Sequence, residues 1–159
     1  TFLVAMARDL PQARLIEPLC WIVVGATAAP SVPLGRRLAD RYGNMAVMRG
    51  AFLLQAGGVL LAGYGAGAFA LLIGGACLGL TFLSITALVL NAARTEAGPY
   101  GELAIGWMTA SFGFGQLLGP FIAGRLAQAS GSFAAPSVMA AAALVLGAVL
   151  LPRGCPRGR

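Results

Sequence analysis

The side chains that could perform acid–base, nucleophilic or metal chemistry are few in this chain and widely spaced. It contains no His, and the remaining candidates are its acids and thiols: Asp9, Glu17, Asp40, Glu96, Glu102, Cys20, Cys77 and Cys155. The cysteines lack the close spacing of a zinc, haem or redox site, and no glycine-rich phosphate loop is present. The sequence therefore predicts no enzyme, no catalytic residue, no metal site and no cofactor.

The composition is that of a membrane protein. The chain has 159 residues, of which 58% are hydrophobic and only 10% are charged, whereas an ordinary globular chain has about 25% charged residues. This number of charges is too small to cover the surface of a water-soluble fold of this size. We therefore expect lipid to cover much of the surface of this chain. The net charge of +6 comes from Arg residues at the ends of apolar runs, which is typical of topology signals rather than of nucleic-acid binding.

The intervals between charges set the number of membrane crossings. They enclose 18, 44, 22 and 27 uncharged residues, and a crossing needs about 20, so the longest interval holds two helices. The runs do not alternate polar and apolar residues as a barrel strand does. We therefore expect an all-α membrane protein with one transmembrane helical domain over 1–159: a helix stub at 1–7 and helices near 18–36, 45–63, 68–92, 103–126 and 134–151.

The distribution of Arg residues predicts the orientation. If the five crossings alternate, one side carries eight Arg residues and the other carries three, Arg8, Arg14 and Arg125. Cytoplasmic loops are enriched in Arg and Lys. We therefore expect the segment around Asp40 and the tail after Pro152 to be cytoplasmic.

Two short patterns stand out from the apolar background. The first is the charged turn Leu38-Ala39-Asp40-Arg41-Tyr42-Gly43, in which an acid beside Arg residues could pair with them or accept hydrogen bonds from a helix N-terminus. The alternative is a simple positive-inside loop. The second is Gly106-x8-Gly115-x3-Gly119-Pro120-x2-Ala123-Gly124, which places small residues on one helix face and a proline that favours a bend. The alternative here is ordinary glycine-rich membrane packing.

Together these patterns resemble the loop signature and the glycine-proline helix signature of one half of a major facilitator superfamily transporter. The chain departs from them at Gly35, which lies one position early, at Asn44 and Met45, which replace basic residues, and at Ala123, which replaces a glycine. The sequence as a whole also resembles the bacterial YbfB/YjiJ-type subfamily. The resemblance implies part of a six-helix half of a 12-helix carrier, the C-terminal half, with the end of helix 7 followed by helices 8 to 12.

The resemblance also implies roles for particular residues. Arg37, Asp40, Arg41 and Gly43 would form a latch between transport states. Helix packing and bending would involve Gly106, Gly115, Gly119, Pro120 and Gly124. The candidate cavity residues are Thr81, Ser84, Gln116 and Trp107, although the hydroxyls could instead bond their own helix and Trp107 could anchor at the interface. No acid lies deep in a span, so a proton-coupling acid would belong to the missing half.

We therefore expect a multi-pass protein of the bacterial inner membrane that is a fragment of a secondary transporter, with antiporters among its relatives. Its partners would be the lipid bilayer, a small organic solute and the missing N-terminal half, and not nucleic acid. The alternative is a non-transporting membrane scaffold or the remnant of a disrupted transporter gene. The substrate, the direction of transport and the coupling ion are left open by the sequence.

Overall fold

A computed structural model describes Met6 and residues 13–65 and 67–152, and within these residues the chain is helical and contains no strand. The helices are α1 (Ala13–Tyr42), α2 (Asn44–Tyr64), α3 (Ala68–Glu96), α4 (Gly101–Ser130) and α5 (Ala134–Leu150). A single 3-10 turn, Gly98–Tyr100, connects α3 to α4. The stub expected at 1–7 lies outside the described residues except for Met6.

The helix α3 is the centre of the bundle. It packs most extensively against α1 and α2, and α2 also packs against α5, whereas α4 makes smaller contacts with α3 and α5. Near the start of α3, Leu71 packs against Ile16 and Cys20 of α1 in a small apolar cluster. The described chain therefore has a compact core of α1, α2, α3 and α5, with α4 mostly exposed at its side.

Close helix crossings explain why the central helices contain so much glycine. A Cβ built on Gly79 of α3 would overlap the carbonyl oxygen of Val24 and the hydroxyl of Thr27 in α1. A Cβ on Gly58 of α2 would lie 2.5 Å from the Cβ of Cys77 in α3. Small residues let membrane helices approach until their backbones nearly touch, and these glycines therefore fix the distances of α1 and α2 from α3.

The charged segment that was predicted to be a turn is largely helical. The helix α1 continues through Arg36 and Asp40 to Tyr42, and Gly43 alone separates it from α2. Arg and Asp do not break a helix, whereas Gly43 has φ 89° and ψ 145°, a conformation that glycine adopts without steric cost. The predicted helix, which ended near residue 36, was therefore too short. The charged residues were used to mark the end of the membrane span, and the helix continues beyond that point.

Three of the described helices are long and apolar enough to cross a membrane by length and composition: Arg14–Tyr42, Asn44–Tyr64 and Ala68–Glu96. The helix α5 is apolar but has only 17 residues, about 26 Å at 1.5 Å per residue. The helix α4 has 30 residues but contains glycines and polar residues that lower its hydropathy. That α4 and α5 also cross the membrane, which would make five crossings, therefore remains a prediction from the charge pattern.

Candidate functional site

The expected latch residues lie at the C-terminal end of α1. Arg37, Asp40 and Arg41 are exposed, and the guanidinium of Arg41 lies 5.4 Å from the ring centroid of Tyr42, a distance suited to a cation–π contact. Within the described part of the chain, the Asp40 carboxylate has neither an ion pair nor a hydrogen bond. The contacts that the sequence suggested for Asp40 are therefore not made between described residues, and its role as a latch stays a prediction.

Two polar residues after Gly43 hold this end of the bundle together. The Nδ2 of Asn44 donates a hydrogen bond of 3.3 Å to the carbonyl of Leu88 in α3. The guanidinium of Arg49 donates to the carbonyl of Leu151, directly after α5. Cations stabilise helix C-termini because the last carbonyls lack backbone partners. Arg49 is one of the eight Arg residues that predict the cytoplasmic side, and its position inside an otherwise apolar helix could also have suggested such a contact.

The glycine-proline pattern lies on α4, which continues through Pro120 without interruption. A Cβ built on Gly106, Gly115, Gly119 or Gly124 would meet no atom within 4 Å among the described residues. Only Ala123 of this string is buried. The close helix packing expected at these glycines is therefore not made inside the described bundle, and it stays a prediction about a surface that packs against α4.

Two of the four candidate cavity residues are helix-interface residues. The hydroxyl of Thr81 donates a hydrogen bond of 2.6 Å to the carbonyl of Cys77 in its own helix and lies 3.3 Å from the amide oxygen of Gln55 in α2. The hydroxyl of Ser84 donates to the carbonyl of Ser31 in α1. Both Thr81 and Ser84 are buried, and the structure thus uses these hydroxyls in helix packing.

The other two candidates, Gln116 and Trp107, are exposed on α4. They are nine residues apart, which at about 100° per residue places them on opposite faces of the helix. Trp107 shares its face with Phe114 and Phe121, which are 63% and 62% exposed. The structure therefore does not bring the four candidates together, and Gln116 is the one that lies opposite this apolar face.

An aromatic contact that the sequence analysis missed lies on the same side of α4 as Gln116. The rings of Phe82 in α3 and Phe112 in α4 have centroids 5.9 Å apart and an interplanar angle of 44°. This is an ordinary tilted aromatic pair, yet the two side chains are 37% and 46% exposed. No sequence signal could have paired them, because the contact depends on how α4 leans against α3.

The described residues contain no group of three or more His, Cys, Asp or Glu side chains that could hold a metal ion. The polar groups on the open surfaces of α1 and α4 include the carboxylates of Asp40 and Glu102 as well as carboxamide, hydroxyl and guanidinium groups. Such groups bind by hydrogen bonding and charge.

Comparison with protein families identifies the chain. The family model described as "Uncharacterised MFS-type transporter YbfB" matches residues 1–152. The chain belongs to this family. Searches of curated proteins and of solved structures gave no match.

Membership of this YbfB-type family agrees with the architecture. The described bundle is all-α, with long apolar helices suited to a bilayer, and the match covers all five helices. The chain is therefore a multi-pass membrane protein of a transporter family. The resemblance based on the Asp40 segment and the glycine-proline helix is thus confirmed at the level of the family.

Proposed function

We propose that this chain is part of a secondary active transporter that moves a small organic solute across the bacterial inner membrane by alternating access. The observation that carries the proposal is the match to the YbfB-type family over 152 residues. Transporters of this kind rock two helix bundles about a central site. The chain would supply helices of the C-terminal bundle, and a second bundle would cover the open side of α4.

The distribution of rigid and open surfaces supports such a bundle. Close glycine contacts fix α1 and α2 against α3, so these helices can move as one body. The helix α4 instead leaves most of its surface free of described residues, including the glycines from Gly106 to Gly124. A rigid body with one open helix face is suited to rocking against a partner bundle.

Reconstitution tests the proposal. The full-length carrier that contains this chain would be purified, inserted into liposomes and loaded with labelled small organic solutes, with and without a proton gradient. We expect solute movement above that of empty liposomes, and a change with the gradient if the carrier is an antiporter. A full-length protein that folds and inserts but moves no solute would instead favour the non-transporting scaffold, and an open reading frame without a second bundle would favour the gene remnant.

A further inference from the structure

The helix α4 has two chemically distinct faces. One face, with residues seven apart, consists of Trp107, Phe114 and Phe121, all of them apolar or aromatic and well exposed. The opposite face contains Phe112 and, four residues later, Gln116. Residues four apart in a helix are neighbours on one side. A helix that crosses a bilayer can turn the first face to lipid without any polar cost, which leaves the second face for a different environment.

Gln116 indicates what that environment must provide. Its side chain is exposed, it lies near the middle of the 30-residue helix, and no described residue forms a hydrogen bond with its carboxamide. An amide in hydrocarbon without a partner costs several kcal/mol, about 2–7 by common reference scales. The face that carries Gln116 must therefore meet water, a solute or another polar group, and not lipid tails.

The aromatic pair lies directly beside this amide. Phe112 is one turn before Gln116, about 6 Å along the helix axis, and its ring packs against Phe82 of α3. The exposed hydroxyl of Thr86, one turn after Phe82, donates a hydrogen bond of 2.9 Å to the carbonyl of Phe82 in its own helix. It adds no charge to the surroundings of the pair. The pair is only half covered, so a further ring can pack against its open edge.

The surroundings of the pair are uncharged. The helix α4 has no charged residue between Glu102 and Arg125, and α3 has none before Arg94. Hydrogen bonding and aromatic packing are therefore the interactions that these two helices offer a bound molecule at this depth. A charged ligand would lose its hydration here without gaining an ion pair from the described helices.

We propose that Phe82, Phe112 and Gln116 form part of a solute site that binds an uncharged aromatic molecule. The ring of the solute packs against the Phe82–Phe112 pair, and a hydrogen-bonding group about 6 Å away pairs with the carboxamide of Gln116. The inference rests on the proposed transport function, because it names the substrate class for that carrier.

Binding of a matched set of small probes to the full-length carrier tests the proposal. The neutral aromatic probe is 3-phenylpropionamide, which carries an amide at about the required distance from its ring. The comparison probes are 3-cyclohexylpropionamide, which lacks the ring electrons, and 3-phenylpropan-1-amine, which carries a positive charge. We expect the purified carrier to bind 3-phenylpropionamide more tightly than either, by direct binding of labelled compound in detergent.

Substitutions then assign the preference to these residues. Phe112→Leu and Phe82→Leu should weaken binding of 3-phenylpropionamide about 2- to 10-fold, the range expected for loss of one aromatic contact. Both should leave 3-cyclohexylpropionamide binding unchanged. Phe112→Tyr should restore the preference because it restores a ring. Gln116→Leu should weaken the binding of both amides. The control Phe114→Leu, on the opposite face of α4, should leave the binding of both unchanged.

Three outcomes would overturn the inference. The carrier could bind the cyclohexyl compound or the cation at least as tightly as 3-phenylpropionamide. Phe112→Leu could lower the thermal unfolding temperature without altering the preference, which would make this face a packing surface for another helix. The carrier could transport other solutes without binding 3-phenylpropionamide, which would leave the transport function intact. Binding that depends on Phe112 without transport of any solute would instead contradict the transport function and support the site.

Discussion

The hydroxyl of Ser84 donates a hydrogen bond to the carbonyl of Ser31, 53 residues earlier in the chain. Both residues are buried. A Cβ on Gly35, one turn after Ser31, would lie 2.8 Å from the Ser84 hydroxyl. The absence of a side chain at Gly35 therefore creates the space in which α3 reaches α1, and Ser84 joins two helices that form the rigid part of the bundle.

Replacing this hydroxyl should loosen the α1–α3 contact. We expect Ser84→Ala to lower the free energy of unfolding by about 0.6–1.7 kcal/mol, as for other interhelical hydrogen bonds in membranes. The matched control is Ser111→Ala, because the Ser111 hydroxyl bonds only the carbonyl of Trp107 in its own helix. Unfolding of the purified carrier in a denaturing detergent would measure the stability of both variants. Equal stabilities of Ser84→Ala and Ser111→Ala would show that the Ser84 hydrogen bond contributes nothing.

Adjacent glycines in α2 should respond oppositely to the same change. A methyl group at Gly58 would meet Cys77 and the carbonyl of Gly74, whereas nothing lies within 4 Å of the same position at Gly57. We expect Gly58→Ala to destabilise the carrier by about 1–3 kcal/mol and Gly57→Ala to be neutral or stabilising, since Ala is the better helix former. Thermal unfolding of the two variants compares them, and a stable Gly58→Ala carrier would mean that α2 and α3 are further apart.

Labelling of single cysteines tests the predicted orientation. Tyr42 is the last residue of α1 and lies just before the start of α2, and Tyr64 is the last residue of α2. Both are exposed, so Tyr42→Cys and Tyr64→Cys in a cysteine-free background report on opposite sides of the membrane. We expect an impermeant thiol reagent added to intact cells to label only the cysteine at position 64. Both should react after the cells are opened. Labelling at position 42 from outside would reverse the topology that the Arg distribution predicts.

Asp40 should matter for transport and not for folding. Its side chain is exposed and has no described partner, so Asp40→Asn should leave folded yield and thermal stability unchanged. If Asp40 takes part in a latch between transport states, the loss of its charge should shift their balance by about 1–3 kcal/mol, the usual size of a coupling energy. Initial transport rates and yields of the two carriers provide the measurement. Normal transport by the variant would reduce this segment to a topology signal.

A comparison of two glycines tests whether another helix covers α4. No described residue lies within 4 Å of a Cβ at Gly119, whereas one at Gly147 of α5 would be 3.9 Å from the Phe52 ring. We expect Gly119→Leu to impair folded yield or transport of the full carrier more than Gly147→Leu, with overpacking costing about 1–3 kcal/mol. Since the described bundle leaves Gly119 open, any such cost must come from a partner surface. Equal effects would make the glycine-proline string ordinary membrane composition.

The sequence by itself determined the class of the protein and its family. Low charge and long apolar runs require helices in a bilayer, because only structures that satisfy their own backbone persist in lipid. The Asp40 segment and the Gly106–Gly124 string pointed to the transporter family that the family match confirms. These features are local in sequence, and so they can be recognised without knowledge of how the helices pack.

The tertiary structure decided which small and polar residues are contacts and which are open. The recognisable string at Gly115 and Gly119 lies on an open surface, while Gly58 and Gly79, which belong to no recognised pattern, are in close contact with neighbouring helices. Ser84 became an interhelical link, and Phe82 and Phe112 became a pair. Helix spacing alone shows which residues share a face. Which helix meets that face depends on contacts between segments far apart in the chain, and these exist only once the bundle has formed.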